Sequence, residues 1–234
     1  MKDILGTALL DYLHGNYSED IVTETSISEP DVLPLPYLFR SFEKMPKMEQ
    51  LALHRCEGNV LDVGCGAGSH SLYLQGKGVD VMAIDASAGA VAVARERGVR
   101  QVLHSTFLDL SGVKFDTILL LMNGTGIFET VAQVPQYLEQ LHSLLSENGS
   151  VLIDSSDLRY MYDETHDGGI WVPADRYYGE LEFTMEYKGQ TTAHFPWLYL
   201  DQRLLAELCE ENGFNFEILY ESDHYEYLAK LTLK

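Results

Sequence analysis

The sequence predicts an α/β fold with a mostly parallel sheet, helices on both faces and an inserted β-hairpin. Three observations predict it. From Asn59 to Ser156, apolar strand-like runs alternate with helix-like segments, several closed by glycine, the pattern of repeated βα units. One run, "FDTILLLMN", is apolar enough for a strand covered on both faces. Further on, "YGELEFTMEYKG" alternates strictly: Leu181, Phe183, Met185 and Tyr187 on one side, Glu180, Glu182, Thr184 and Glu186 on the other. That is the signature of a half-buried strand.

The N-terminal "MKDILGTALLDYLHG" reads as a helix, with Ile4, Leu5, Ala8, Leu9, Tyr12 and Leu13 on one face. Asp3 and Asp11 interrupt it, so it is neither a signal peptide nor a membrane span. Residues 17–36 are the least regular part of the first quarter, with Pro30, Pro34 and Pro36. Pro36 opens a short helix through Phe42, and a second helix runs from Pro46 to a stop near Gly58. Then follow the strand "NVLDVG", the helix "SHSLYLQGKG", the strand "VDVMAID" and a helix capped by Ser87 and ended by Gly98. "VRQVLHS", "FDTILLLMN" and "SVLIDSS" are the next strands, and a helix beginning near Val134 precedes the last of them. Lys188-Gly189 signals a turn that returns "QTTAHFPWLYL" as the partner of the alternating strand. Asp201 caps a final helix, and two strands close the chain as an antiparallel pair across "ESDH".

The chain has 234 residues, of which 46% are hydrophobic, enough for one sizeable core. Two parts are expected: an N-terminal helical extension over 1–58, and a ligand-binding core over 59–234 with the hairpin inserted at about 176–200. A formal charge of −20 repels phosphate backbones and argues against nucleic acid as a partner. Cys56, Cys65 and Cys209 form no CxxC pair, so no metal site is expected, and the low cysteine count suits a reducing cytoplasm.

The informative stretch is "VLDVGCGAGSHSLYL". A strand that ends in glycines and enters a helix binds anions or nucleotides, because glycine turns sharply and lets a ligand approach the backbone. Asp85 ends the next strand, 21 residues after Gly64, about where a carboxylate grips ribose hydroxyls. The loop holds Gly64, Gly66 and Gly68, with Ser69 where a dinucleotide site needs its third glycine. Asp62 stands upstream, and a carboxylate there repels pyrophosphate and favours a cation such as an amino group or a sulfonium. A buried, unpaired carboxylate costs several kcal/mol, so Asp62 and Asp85 each need a partner, either a ligand or the protein backbone.

"VLDVGCGAG" followed by "VMAIDAS" resembles the first two motifs of class I S-adenosylmethionine-dependent methyltransferases. The resemblance spans about residues 56–157 and implies a Rossmann-like methyltransferase fold, a seven-stranded sheet whose last strand is antiparallel. It implies S-adenosyl-L-methionine as cofactor, with Asp62, Gly64 and Gly66 around its methionine part and Gly68 in the same cofactor-binding loop. Asp85 would take both ribose hydroxyls and Ala86 would border the adenine. Thr106 and Phe107 would stand at the adenine edge, and Asn123 near the methyl group. "YLFRSF", "LMNGTG", "DSSDLRYMY" and "FPWLYLD" resemble a small-molecule subgroup of the family, which fixes the cofactor better than the acceptor.

Other residues carry two readings each. Arg40 either pairs with the cofactor's carboxylate or makes a structural ion pair. His70 either brushes the cofactor or is a solvated helix residue. Asn123, Asp154 and Tyr199 are the catalytic candidates, with Asn123 otherwise a turn residue. Asp154, Asp157, Tyr160 and Tyr162 are each a base, a substrate contact or a surface loop residue. His194, Trp197 and Tyr199 are core aromatics unless the hairpin folds over the pocket, where Trp197 and Tyr199 would stack on substrate. The hairpin is either a lid or the edge of a homodimer. The rival functions are a nicotinamide-dependent oxidoreductase and a non-catalytic cofactor-binding protein; neither nucleic acid nor membrane is expected as partner.

Overall fold

Parallel strands need crossover connections, so alternating segments of this kind close into a sheet only with helices laid across its faces. The computed structural model, which describes residues 2–162, 169 and 171–234, has this arrangement. It opens with α1 (Ile4–Leu13), β1 (Ile21–Thr25), β2 (Ser28–Leu33), α2 (Leu35–Leu38) and α3 (Lys47–His54). The alternating part runs β3 (Asn59–Val63), α4 (Ser69–Gly76), β4 (Asp80–Asp85), α5 (Ala88–Glu96), β5 (Gln101–His104), β6 (Phe115–Leu120), α6 (Val134–Leu144) and β7 (Leu145–Ser156). Then come β8 (Glu180–Tyr187), β9 (Gln190–Thr191), β10 (Phe195–Leu198), α7 (Gln202–Glu211), β11 (Phe214–Glu221) and β12 (Glu226–Leu233).

The main sheet has seven strands in the order β11-β12-β7-β6-β3-β4-β5. Only β12 runs against the rest, antiparallel to β7 and to β11, while the other pairs are parallel. From β3 the chain steps one way to β4 and β5 and the other way to β6 and β7. That reversal opens a crevice at the carboxyl ends of β3 and β6, where ligands bind in such sheets.

Side chains of the central strands alternate between two cores. Leu61, Ile118, Leu120, Val151 and Ile153 pack with Tyr137, Leu138 and Leu141 of α6 and Leu205 of α7. Val60, Leu119 and Leu152 pack with Met48 and Leu53 of α3 and Leu74 of α4. Each such burial stabilises by about 2 kcal/mol. Local signals agree: the Ser87 hydroxyl accepts the Ala90 N–H at 2.9 Å, and Gly98, with φ +103°, ends the segment after α5. The α1 helix lies on α5 with Gly6 against Gly89; a Cβ on Gly6 would stand 2.6 Å from the Gly89 Cα. Asp3 caps α1 through Gly6 N–H and also accepts from Gly89 N–H and the Ser87 hydroxyl.

Two expectations are corrected. Residues 17–36 are not irregular: β1 and β2 form an antiparallel hairpin, so the first 58 residues are not a purely helical extension. And β8–β10 are not an isolated hairpin, because β8 also pairs with β1, giving a second sheet in the order β10-β8-β1-β2 with β9 on β8. The β2 strand is an edge strand, mostly exposed, where a proline and charges are tolerated and no apolar alternation is needed. The helix expected from Pro36 to Phe42 stops at Leu38, with a 3-10 turn at Phe42–Lys44. Lys188 and Gly189 make the expected turn, with φ +49° and +67°. Among the described residues, no helix is long and apolar enough to cross a membrane.

Asp201 caps α7 through the Leu204 N–H at 3.0 Å and accepts the Tyr177 hydroxyl at 2.7 Å. Asp201→Ala removes both acceptors, and an N-cap alone contributes about 1 kcal/mol. Urea unfolding is expected to show a loss of about 2 kcal/mol for Asp201→Ala and a smaller loss for Asp201→Asn.

Candidate active site

At the end of β3 the backbone turns through Gly64 (φ +72°) and Gly66 (φ +54°), a left-handed region costly for any residue with a Cβ. A Cβ on Gly66 would meet nothing within 4 Å, and one on Gly64 would meet only the Ile127 side chain at 3.4 Å. The elbow therefore presents bare backbone to open space. Asp85 fixes it from the next strand: one carboxylate oxygen accepts Gly66 N–H and the other accepts Ser87 N–H, each at 2.8 Å. Burial raises the Asp85 carboxyl above its ordinary value, against those two N–H bonds. Each oxygen keeps lone pairs free for ligand hydroxyls. Asp62 is buried on the α4 side and accepts the Ser71 hydroxyl at 2.5 Å. The cradle and the two carboxylates fit a ligand that carries a ribose and a cation and lacks phosphate.

The third glycine differs. Gly68 has φ +81°, but a Cβ there would lie 2.8 Å from Val99 and 3.1 Å from Ala94. Its role is to let α4 start close against α5, a packing constraint and not a ligand contact. At Phe107 only the side chain is withdrawn. Its ring is 4% exposed and stacks parallel to Tyr137 in the core, so it leaves only backbone for an adenine edge. Thr106 is exposed and donates to Asp109, and Ala86 is exposed beside Asp85.

The opposite wall is the turn after β6. Met122 (φ +67°) and Asn123 (φ +63°) are consecutive left-handed residues, each costing on the order of 1 kcal/mol or more. Asp154, at the end of β7 and 3% exposed, holds the turn: its oxygens accept Met122 N–H at 3.1 Å and Gly124 N–H at 2.8 Å. Burial pushes the Asp154 carboxyl up to about 6, against those N–H bonds and with the charge of Glu49 adding. Asn123 does not offer a free amide. Its side chain donates to Leu198 C=O at 3.3 Å and accepts the Ser155 hydroxyl at 3.3 Å.

Those bonds tie the second sheet over the crevice. Thr125 donates to Leu198 C=O at 3.0 Å, and Leu200 N–H donates to the Ser155 hydroxyl at 2.9 Å. Between the second sheet and the ends of β6 and β7 lies a cavity of about 730 Å³. Its walls include Thr23, Thr25, Leu181 and Phe183 from the second sheet, Asn123, Asp154 and Ser155 from the main sheet, and Glu49, Tyr160 and Tyr199. The glycine elbow is not part of its lining; Glu49 links the two, since it lines the cavity and accepts from His70 in the first turn after the elbow. The segment is thus a roof over the site.

Arg40 belongs to a buried network. Its guanidinium donates to both oxygens of Glu49 at 2.5 Å and to Tyr37 C=O, and it stacks 3.9 Å above the Tyr37 ring. His70, in the first turn of α4, donates through Nε2 to Glu49 at 2.7 Å. Burial works to raise the Glu49 carboxyl, but His70 and Arg40 outweigh it and hold it below the ordinary value. Arg40 is therefore a structural ion pair, and His70 is buried, not solvated. Trp197 packs on Gly126, where a Cβ would overlap its ring, and His194 is exposed; neither lines the cavity. Tyr199 does, and burial pushes its hydroxyl up to about 12. Asp157 caps the 3-10 turn after β7, and Tyr162 donates to Tyr178 C=O.

Sequence reasoning missed Glu49, Thr125, Ser155 and Phe183. Glu49 carried a signal, since it falls on the same α3 face as Met48, Ala52 and Leu53. The other three are neutral residues whose role depends on which segments meet. Among the described residues, no group of metal-ligating side chains converges.

A reversed parallel sheet with a glycine elbow and a strand-end carboxylate is the layout of a nucleoside-binding α/β protein. Residues 39–218 match a family described as a methyltransferase domain, and the chain belongs to that family. A crystal structure of an S-adenosylmethionine-dependent methyltransferase from Bacteroides fragilis, in complex with S-adenosyl-L-homocysteine, superposes with a TM-score of 0.92. It is 39% identical over 99% of this chain and 95% of that one. The glycine/sarcosine N-methyltransferase of Aphanothece halophytica is 26% identical over 200 residues, 75% of this chain and 76% of that protein. A ubiquinone biosynthesis O-methyltransferase of Rickettsia conorii is 33% identical over 101 residues, 41% of this chain and 34% of its own length. The chain is an S-adenosyl-L-methionine-dependent methyltransferase, which sets aside the nicotinamide reading.

Asp154 also generates a pH signature. Its carboxyl sits at about 6 against an ordinary 3.8, so the fold prefers the protonated form. That stabilisation is complete below about pH 4 and is lost as pH rises through about 6, a change of about 3 kcal/mol. Asp154→Asn cannot titrate. Its stability relative to wild type, measured by urea unfolding, is expected to improve by about 3 kcal/mol from about pH 4 to about pH 7, whatever constant offset the lost carboxylate acceptor for a backbone N–H brings.

Proposed function

We propose that the enzyme transfers a methyl group to a small molecule bound in the roofed cavity. The observation that carries this reading is the cavity itself: about 730 Å³, at the carboxyl edge beside the elbow, walled by two sheets. That volume is typical of small-molecule sites. The surface charge of −20 supports the same conclusion.

The residues divide the work. The bare backbone at Gly64 and Gly66 cradles the cofactor's methionine part, with the Asp62 carboxylate behind it, and Asp85 holds the ribose hydroxyls. Ala86 and the backbone at Thr106 and Phe107 border the adenine. When bound, S-adenosyl-L-methionine supplies a methyl carbon on a positively charged sulfur, which leaves as a neutral thioether when the acceptor's lone pair takes the carbon. The protein's task is then to orient the acceptor and keep water out. The second sheet does both, since its inner face is one wall of the cavity and its last strand is hydrogen-bonded to the turn after β6. Asn123 and Asp154 fix that turn, and Tyr199 presents its ring and hydroxyl from the roof. Three cysteines, all free, fit a reducing cytoplasm.

Asp85→Ala is expected to weaken S-adenosyl-L-homocysteine binding at least 10-fold by calorimetry, as a loss of two charge-assisted hydrogen bonds does. The exposed Asp223→Ala serves as control. Equal affinity in the two variants removes Asp85 from the cofactor site.

A further inference from the structure

The cavity wall has a one-sided charge. Five carboxylates line it, Glu29, Asp31, Glu49, Asp154 and Glu226, and among its described lining residues there is no lysine, arginine or histidine. Glu49 is ion-paired with Arg40. Glu29, Asp31 and Glu226 are exposed at the rim. Asp154 is different: it is 3% exposed, and its hydrogen-bond donors are two neutral backbone N–H groups with no cation beside it. A buried carboxylate in that state is stabilised by whatever positive charge enters the cavity. Phe183 and Tyr199 line the same space with rings 6.4 Å apart and nearly parallel, faces that attract a cation further.

We propose that the methyl acceptor is a small amine, bound as its ammonium against Asp154 and the Phe183–Tyr199 faces. This rests on the proposed methyl-transfer site and names its substrate class. An acceptor with a carboxylate or phosphate would meet Asp154 with no basic side chain to balance it, so free glycine, with its own carboxylate, fits this wall poorly. Before attack, one ammonium proton passes to a carboxylate oxygen of Asp154; the nitrogen keeps the electron pair of the broken N–H bond as its lone pair, and Asp154 becomes neutral. The groups around Asp154 assist: Glu49 from α3 adds negative charge, and Tyr37, Tyr199 and Tyr227 stay uncharged, each raised by burial above an already high ordinary value. Burial raises the Asp154 carboxyl to about 6, nearer to an amine than an ordinary carboxylate stands.

The test uses the full chain with S-adenosyl-L-homocysteine bound. Calorimetry near neutral pH compares two matched sets: phenethylamine, phenethyl alcohol and hydrocinnamate; cyclohexylamine, cyclohexanol and cyclohexanecarboxylate. Each amine is expected to bind at least about 10-fold tighter than its alcohol, and the carboxylates not at all. Asp154→Asn is expected to bring the amines down to the alcohols. Because that variant also alters the turn, Phe183→Leu is the second probe; it keeps an apolar wall and is expected to lower the amine-to-alcohol ratio about threefold. With S-adenosyl-L-methionine, thioether product is expected from the amines and not from the alcohols. If the homocysteine ligand binds but alcohols or carboxylates bind as well as the amines, or no amine binds, the acceptor class is wrong and the methyl-transfer site stands. If the homocysteine ligand itself does not bind, both fall.

Discussion

Buried carboxylates at the ends of parallel strands shape this active site. A carboxylate removed from water is costly unless donors surround it. Asp85 and Asp154 meet that demand with backbone N–H groups of loops that would otherwise have many conformations. Asp85 takes Gly66 and Ser87; Asp154 takes Met122 and Gly124. Asp62 uses the Ser71 hydroxyl. One set of bonds holds the glycine elbow and the other holds two consecutive left-handed residues, so both walls of the crevice are set before any ligand arrives. The arrangement also concentrates negative charge around the crevice, which a phosphate-bearing ligand would not tolerate.

The second layer is the roof. It joins β1 and β2, far back in the chain, to β8 and β10, and its inner face serves two purposes along one strand. Leu181 and Phe183 line the cavity, while Met185 and Tyr187 pack with Ile4, Leu9 and Ile21 around α1. The α1 helix in turn lies on α5 through the Gly6–Gly89 contact and Asp3. Displacing the roof therefore disturbs the helix that follows Asp85, so cofactor and acceptor sites share a mechanical frame.

The main sheet was legible because its rules are local and dense. Apolar runs, glycine stops and caps such as Ser87 and Asp201 each fix a boundary by short-range physics. The elbow and Asp85 were legible for the same reason, since their spacing reflects one βαβ unit. The hairpin β1–β2 was not, because an edge strand with Pro30 and exposed acids has no apolar period to read. The packing roles of Gly68 and Phe107 were not legible, because sequence cannot show that a bare glycine makes room for Val99 or that an aromatic stacks on Tyr137. Ser155 and Thr125 matter only through the meeting of β7, the turn after β6 and residues 198–200, a tertiary coincidence with no short-range trace.

The Arg40–Glu49–His70 network completes the logic of charge. Glu49 faces the cavity, His70 sits in the first turn of the helix after the elbow, and Arg40 anchors both to the segment beneath the roof. Removing one partner of such a buried group leaves the others uncompensated, so the three persist as a unit. Within it, Glu49 has Arg40 as counter-charge, yet its own charge still raises the carboxyl of Asp154, which has no cation among its hydrogen-bond partners. The cavity's inner wall therefore carries its uncompensated charge at one residue, and that residue also clamps the turn bearing Asn123. The cavity lining at Asp154 and the geometry of the adjoining turn therefore depend on a single carboxylate, so a change of charge at this wall disturbs the turn as well.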